Sequence, residues 1–266
     1  MKILWIGLSL VILSAAVRAA DRPNVLLIIS DDQGYGDFGF TGNKVVKTPN
    51  LDRLAGESAV FKNFVVAPAC SPTRASLLTG RNHMLTGTWG VGQRANMQRD
   101  EARMPRYFQA AGYATGYFGK RDSIQFMELH PWDLGCDESE CVWGYVHRDP
   151  KMFTRKGVVE KKGWTCDIDV ANALDFIKRQ GDKPWWCAVA YILPHLPWQP
   201  DDQFAKPYRD AGHSKVLADC YGSIIQMDDA TGRLLKGLEE LGQADKTIVV
   251  FVSDNGPSSK GLSDEE

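Results

Sequence analysis

The chain has 266 residues, 44% of them hydrophobic and 24% charged, and a formal net charge of −2. That composition belongs to a globular protein with one large domain or two modest ones. Lys and Arg are dispersed, so no basic field exists to attract nucleic acid, and a nucleic-acid partner is excluded.

In chain order, the first element is not part of the fold. Lys2, the apolar run "ILWIGLSLVIL" and the small residues of "SAAVRAAD" read as a signal peptide over 1–20, cut after Ala19 or Ala20. The apolar run is too short to span a bilayer comfortably, so no membrane span is expected after cleavage. The competing reading is an uncleaved anchor, since Arg18 sits unusually close to the cut. An exported protein, periplasmic or secreted, is expected. The remainder, 21–266, reads as one catalytic domain without repeats or low-complexity linkers.

Short apolar runs then alternate with helical patterns. "NVLLIIS" (24–30), "GYATGYFG" (112–119), "WWCAVAYIL" (185–193) and "TIVVFVS" (247–253) have the length and continuous apolarity of strands buried on both faces. Helices are predicted over about 98–111, 165–180 and 215–241, spans read from the 3.6-residue period. This alternation predicts an α/β fold with a mostly parallel central sheet flanked by helices. Each predicted strand is followed by charged or polar residues: Asp31-Asp32, Lys120, His195, and Asp254-Asn255. In an open parallel sheet, ligands bind beyond the carboxyl ends of the strands, so four strands deliver these groups to one edge. Singly, each has an ordinary explanation: a loop carboxylate pair, a solvated lysine, a packed histidine, an Asn-Gly turn.

"CSPTRASLLTGR" (70–81) adds a cysteine to that edge. Ser71 is a natural N-cap, Pro72 a natural first helical residue, and Gly80 a left-handed stop. Cys70 therefore falls just before a helix N-terminus, where free N–H groups favour anions. Arg74 in the first turn opposes the helix dipole at a cost of roughly 0.3–1 kcal/mol, which an anion held by its planar fork would offset. Asp31, Asp32, Asp254 and Asn255 offer oxygen donors, which suit Ca²⁺ or Mg²⁺ rather than Zn²⁺.

The other cysteines, Cys136, Cys141, Cys166, Cys187 and Cys220, form no paired metal knuckles. Cys136 and Cys141 flank "DESE" and are spaced for a loop disulfide or for two free thiols. Trp89, Trp143 and Trp198 suit stacking on sugar or aryl rings as well as they suit packing. Gly34-x-Gly36-x-x-Gly39 formally matches a dinucleotide fingerprint, but no helix follows it to take a pyrophosphate.

"CSPTRASLLTGR" resembles the C-x-P-x-R signature of the type I, formylglycine-dependent sulfatases of the alkaline phosphatase-like superfamily. "PNVLLIISDDQGYGDFG", "TPNLDRLAGES", "AGYATGYFGK", "PHLPW" and "SDNGP" follow the same family order. The resemblance implies a sulfuric ester hydrolase in which a formylglycine-generating enzyme oxidises Cys70 to formylglycine. It implies a Ca²⁺ ion, with Mg²⁺ as the alternative, on Asp31, Asp32, Asp254, Asn255 and modified Cys70. Arg74 and Lys120 would hold formylglycine and the sulfate oxygens, and His195 would contact substrate or assist the leaving group. The substrate would be a sulfated small molecule or carbohydrate.

Two departures from the family stand out. The family reads Gly-Lys-Trp-His where this chain reads Gly119-Lys120-Arg121-Asp122, so a carboxylate replaces an imidazole. The family also carries a further lysine downstream of the Asp-Asn pair and a C-terminal part that is not expected within 21–266. The alternatives are thus an impaired sulfatase-like protein that binds sulfated ligands, or a phospho- or phosphonate-ester hydrolase of the same superfamily.

Overall fold

The computed structural model describes residues 22–92, 97, 98, 100–121 and 130–258. The signal peptide expected over 1–20 and the departure at Asp122 lie outside these residues. Strand β1 (Asn24–Ser30) is buried along almost its whole length because both edges and both faces are covered. It lies between β6 (Trp185–Ala190) and β7 (Thr247–Ser253), parallel to each, with Leu27 opposite Ala188 on one side and Val250 on the other. β2 (Ala114–Lys120) runs parallel to β6, and β3 (Glu138–Val142) parallel to β2. All five strands therefore point the same way, and their carboxyl ends share one edge. β4 (Lys151–Thr154) and β5 (Gly157–Glu160) extend the sheet antiparallel, giving the order β5-β4-β3-β2-β6-β1-β7.

Alternation along the strands sorts the core into two faces. Leu26 and Ile28 of β1, Phe118 of β2 and Val189 of β6 meet α1 (Pro49–Gly56), α4 (Thr165–Gln180) and α6 (Lys215–Glu240) through Leu51, Phe176, Ile177, Met227 and Leu234. Leu27, Ile29, Tyr117 and Trp186 point the other way, onto α2 (Cys70–Thr79) and α3 (Met104–Ala110). Each fully buried Leu or Ile stabilises by roughly 1.5–3 kcal/mol relative to exposure, so the two faces fix the register against a one-residue slip. A further helix, α5 (Asp202–Asp210), packs along α6. Cys136 and Cys141 are both buried in the cluster facing α2 and α3.

The strands predicted over 24–30 and 247–253 and the α4 and α6 helices fall where the pattern put them; the strands read over 112–119 and 185–193 run over 114–120 and 185–190, and the helix read over 98–111 is Met104–Ala110 among the described residues. The start of α2 shifts as well. Cys70 is its first residue, and Ala69, in extended conformation, is the N-cap; its carbonyl accepts from Thr73 N at 3.3 Å. Ser71 and Pro72 are inside the first turn, and Arg74 is a full turn further in. No side chain caps this end because the N-cap residue is an alanine, which has no polar side-chain atom to offer. Gly80 does end the helix, with φ +67° and its N–H on Ser76 O. The glycines 34, 36 and 39 open two short 3-10 turns, Tyr35–Asp37 and Gly39–Thr41, and no helix with a phosphate-binding mouth.

Candidate active site

The segments after β1, β6 and β7 are stitched together beyond their strands. Asp31 N donates to Leu193 O at 3.0 Å, and Asp254 N to Ser30 O at 3.1 Å. Asp32 takes φ 61°, a left-handed conformation uncommon outside glycine, and its N–H donates to Asp254 Oδ1 at 3.2 Å. Asn255 Nδ2 donates to Asp32 Oδ1 at 2.6 Å. The four oxygen-bearing residues read from the sequence are thus brought together by bonds that span 222 and 223 residues of chain.

Cys70 enters from the other side. At the mouth of α2, its sulfur lies with one oxygen each of Asp31 and Asp254 inside a cluster whose atoms are all within 4.8 Å of one another. Oxygens of Asp31 and Asp32 form a second such cluster with a ring nitrogen of His195. Two fully buried or nearly buried cations brace the carboxylates. Arg74 Nε donates to Asp254 Oδ2 at 2.8 Å, with Nη2 equally close to the same oxygen and 4.0 Å from Asp31 Oδ1. Lys120 Nζ donates to Asp31 Oδ2 at 2.6 Å.

The electrostatics follow from that packing. Burial pushes the Asp31 carboxyl up, to about 8, against the pull of the Lys120 ammonium. For Asp254, burial is outweighed by Arg74 and Lys120, which hold its carboxyl below the usual range. Burial works against the charge of Arg74 as well, yet Asp254 and Asp31 overcome it and raise the guanidinium further. Lys120 is likewise desolvated, but Asp31 keeps it above its ordinary value. Both cations stay charged at any working pH.

Burial lowers the pKa of His195 and favours its neutral ring. Its Nδ1 faces Leu196 O, an obligate acceptor, so Nδ1 carries the proton and Nε2 is bare. Nε2 lies 3.5 Å from Asp32 Oδ2. Nothing in the sequence pointed to Tyr145, whose ring stacks on His195 at 3.9 Å and 9° while Lys120 Nζ lies 4.9 Å from its centroid. Tyr145 follows β3, and no pattern of residue types marks a ring that joins the site only through two distant neighbours.

The site also contains polar atoms whose partners are not in the protein. Among the described residues, Asp31 Oδ1 and Asn255 Oδ1 are buried without a hydrogen-bond donor, and Arg74 Nη1 is buried without an acceptor. Buried polar groups are nearly always paired, so these atoms mark places for a cation and an anion respectively. The donors for the cation are mainly carboxylate and amide oxygens, the set that suits Ca²⁺ or Mg²⁺.

Comparison with known proteins gives the family. A family model described as Sulfatase matches residues 23–265. Human N-acetylgalactosamine-6-sulfatase is 32% identical over 274 residues, covering 91% of this chain and 51% of that protein. Human arylsulfatase A is 28% identical, with 96% and 56% covered. Among solved structures, i-CgsB in complex with k-i-k-neocarrahexaose superposes with a TM-score of 0.83 at 27% identity, covering 91% of this chain and 60% of that one. The chain spans about half the length of the curated relatives it matches.

Proposed function

From the premise that the chain belongs to the sulfatase family, we propose that it hydrolyses sulfate esters at the edge where Cys70, Arg74, Lys120, His195 and the four oxygen-bearing residues meet. The observation that carries this reading is the placement of the Cys70 sulfur, at a helix mouth, against Asp31 and Asp254 with Arg74 beside it. Formylglycine at position 70, made from Cys70 by a formylglycine-generating enzyme, would supply an aldehyde hydrate as oxygen nucleophile. A Ca²⁺ ion would be held by Asp31, Asp32, Asp254, Asn255 and the group at position 70, and would supply positive charge beside the sulfuryl oxygens.

The chain's own residues perform the rest. Arg74, fixed through Nε, directs its remaining donors at the sulfate and holds it in line with position 70. Lys120, anchored to Asp31, adds fixed positive charge where negative charge grows on the sulfuryl oxygens. The bare Nε2 of His195 takes a proton and, once charged, is steadied by Asp32 and can hand the proton to the departing alcohol. Burial around Asp31, Arg74 and Asp254 keeps water from competing for those contacts. Substrates are sulfated carbohydrates, a reading supported by the name N-acetylgalactosamine-6-sulfatase and by the neocarrahexaose complex among the solved structures. Export rests on residues 1–20; among the described residues, no helix is long and apolar enough to cross a membrane.

The second reading, a protein that binds sulfated ligands without turnover, rests on Asp122 standing where the family has histidine. One measurement separates the two. The tryptic peptide of residues 63–74, from a host that contains the maturing enzyme, is expected to weigh less by the exchange of thiol for aldehyde. An intact thiol in that peptide would leave position 70 without the aldehyde hydrate that the reaction needs and favour the binding protein.

A further inference from the structure

Beside the catalytic edge runs a tier of rings that the reaction does not use. The Trp143 indole stacks on Phe153 at 4.5 Å and 11°. Behind Phe153 stands His130 at 5.4 Å, itself stacked on Trp132 at 4.1 Å and 12°. The Arg121 guanidinium lies over Phe153, 5.2 Å from its centroid. Trp143 is the outer ring and is 52% exposed.

We infer that Trp143, Phe153 and Arg121 form a subsite for a sugar of a sulfated oligosaccharide next to the sugar that carries the scissile sulfate. The inference deepens the sulfatase reading and rests on it. Three observations support it. First, the tier is joined to the catalytic residues by the shortest links available: Arg121 follows Lys120 directly, and only Gly144 separates Trp143 from Tyr145, which stacks on His195. Second, its chemistry is that of a sulfated sugar chain in negative image. A pyranose ring has an apolar C–H face that an open indole face can cover, while its hydroxyl edge and any sulfate or carboxylate call for a planar cation at the side. Third, the platform is set before a ligand arrives. Trp143 is held by its stack on Phe153, its backbone N–H donates to Lys151 O at 2.8 Å and fixes the chain beneath the indole, and Arg121 is already seated over Phe153, so few side-chain rotamers are lost on binding. Cross-strand packing between β3 and β4 accounts for the Trp143–Phe153 contact, but not for a half-open indole placed with a cation at the mouth of a site for anions.

The test is calorimetric binding to the calcium-loaded chain with unmodified Cys70, which does not depend on turnover. The probes are hexasaccharides of chondroitin 6-sulfate and κ-carrageenan, with N-acetylgalactosamine 6-sulfate and galactose 4-sulfate as the single-sugar counterparts. At least one hexasaccharide should bind about tenfold more tightly than its single sugar, the scale expected of one good ring contact. Trp143→Ala should remove that advantage and leave the single sugar unchanged, Trp143→Phe should keep most of it, and Arg121→Ala should flatten the salt dependence of hexasaccharide binding. Equal affinity for chain and single sugar overturns the subsite while leaving the sulfatase reading intact. So does a Trp143→Ala loss shared equally by both probes, which marks a merely structural role. Failure of all four probes to bind overturns both.

Discussion

A carboxyl group buried without a partner is a standing cost, and Asp169 is one. It lies in α4 on the same stripe as Cys166, Val170, Ala173 and Phe176, is fully buried, and neither oxygen has a hydrogen-bond donor among the described residues. Burial, with Glu140 and Asp167 adding to it, holds its carboxyl well above the usual carboxylate range. Because the folded value is the higher one, its contribution to stability is fully present below the unfolded value of about 3.9 and is lost as pH rises toward the folded value. Leucine has nearly the same branching and puts methyl groups where the oxygens stand. Asp169→Leu is therefore expected to stabilise the fold by about 1–3 kcal/mol at pH 7, and by progressively less as pH falls toward 4. Urea unfolding at the two pH values reads this directly; a gain that does not change with pH would mean that the carboxyl is not the cause. Residue by residue, the chain announces only part of such detail. Asp31, Lys120 and Asp254 were legible because each follows an apolar run at a strand's carboxyl end. Their pairing, Arg74 on Asp254 and Lys120 on Asp31, was not, since those contacts are decided by strands far apart in sequence.

The same division holds for elements. Runs such as 24–30 and 247–253 were legible because a strand covered on both faces is apolar throughout. β3, β4 and β5 escaped notice because they carry charges: "ESECV" and "GVVE" lie toward the edge of the sheet, where one side need not be apolar. α2 was legible in extent but shifted at its start, since a backbone cap leaves no mark in the side chains. One junction between elements makes a prediction of its own. Gly119 has φ +108°, and a Cβ there would stand 2.1 Å from Ala190 O on the neighbouring strand β6. The following residue is Lys120. Gly119→Ala should cost more than the roughly 1–3 kcal/mol of backbone strain alone, because β2 and β6 must also separate. Gly144→Ala, at φ +74° with nothing within 4 Å of the new methyl, isolates the strain by itself. Thermal unfolding should rank Gly119→Ala clearly below Gly144→Ala; equal melting points would show that the sheet absorbs the methyl.

At the scale of the molecule, the proposed metal site would couple ligand binding to folding. An ion held by residues after β1, β7 and at the mouth of α2 binds the folded chain only, so calcium at about 100 times its Kd should add about 2.7 kcal/mol, or roughly 5–10 °C in a chain of this size. Scanning calorimetry with calcium against EGTA checks this, and Asp254→Asn should abolish the difference; no shift in the unsubstituted chain would argue against the metal site. The parallel order of the sheet also sets when that site can exist. β1 and β7 lie side by side, yet among the described residues they are the first and last strands in sequence. A polypeptide emerging from its N-terminus can assemble α2 and most of the sheet while Asp254 and Asn255 are still unmade, and closing so long a span is a late event. Until then, position 70 has neither Asp254 against it nor the cover that leaves it 8% exposed in the finished fold. The order in which the strands are made thus gives any enzyme that must reach Cys70 an interval of access, and β7 ends it.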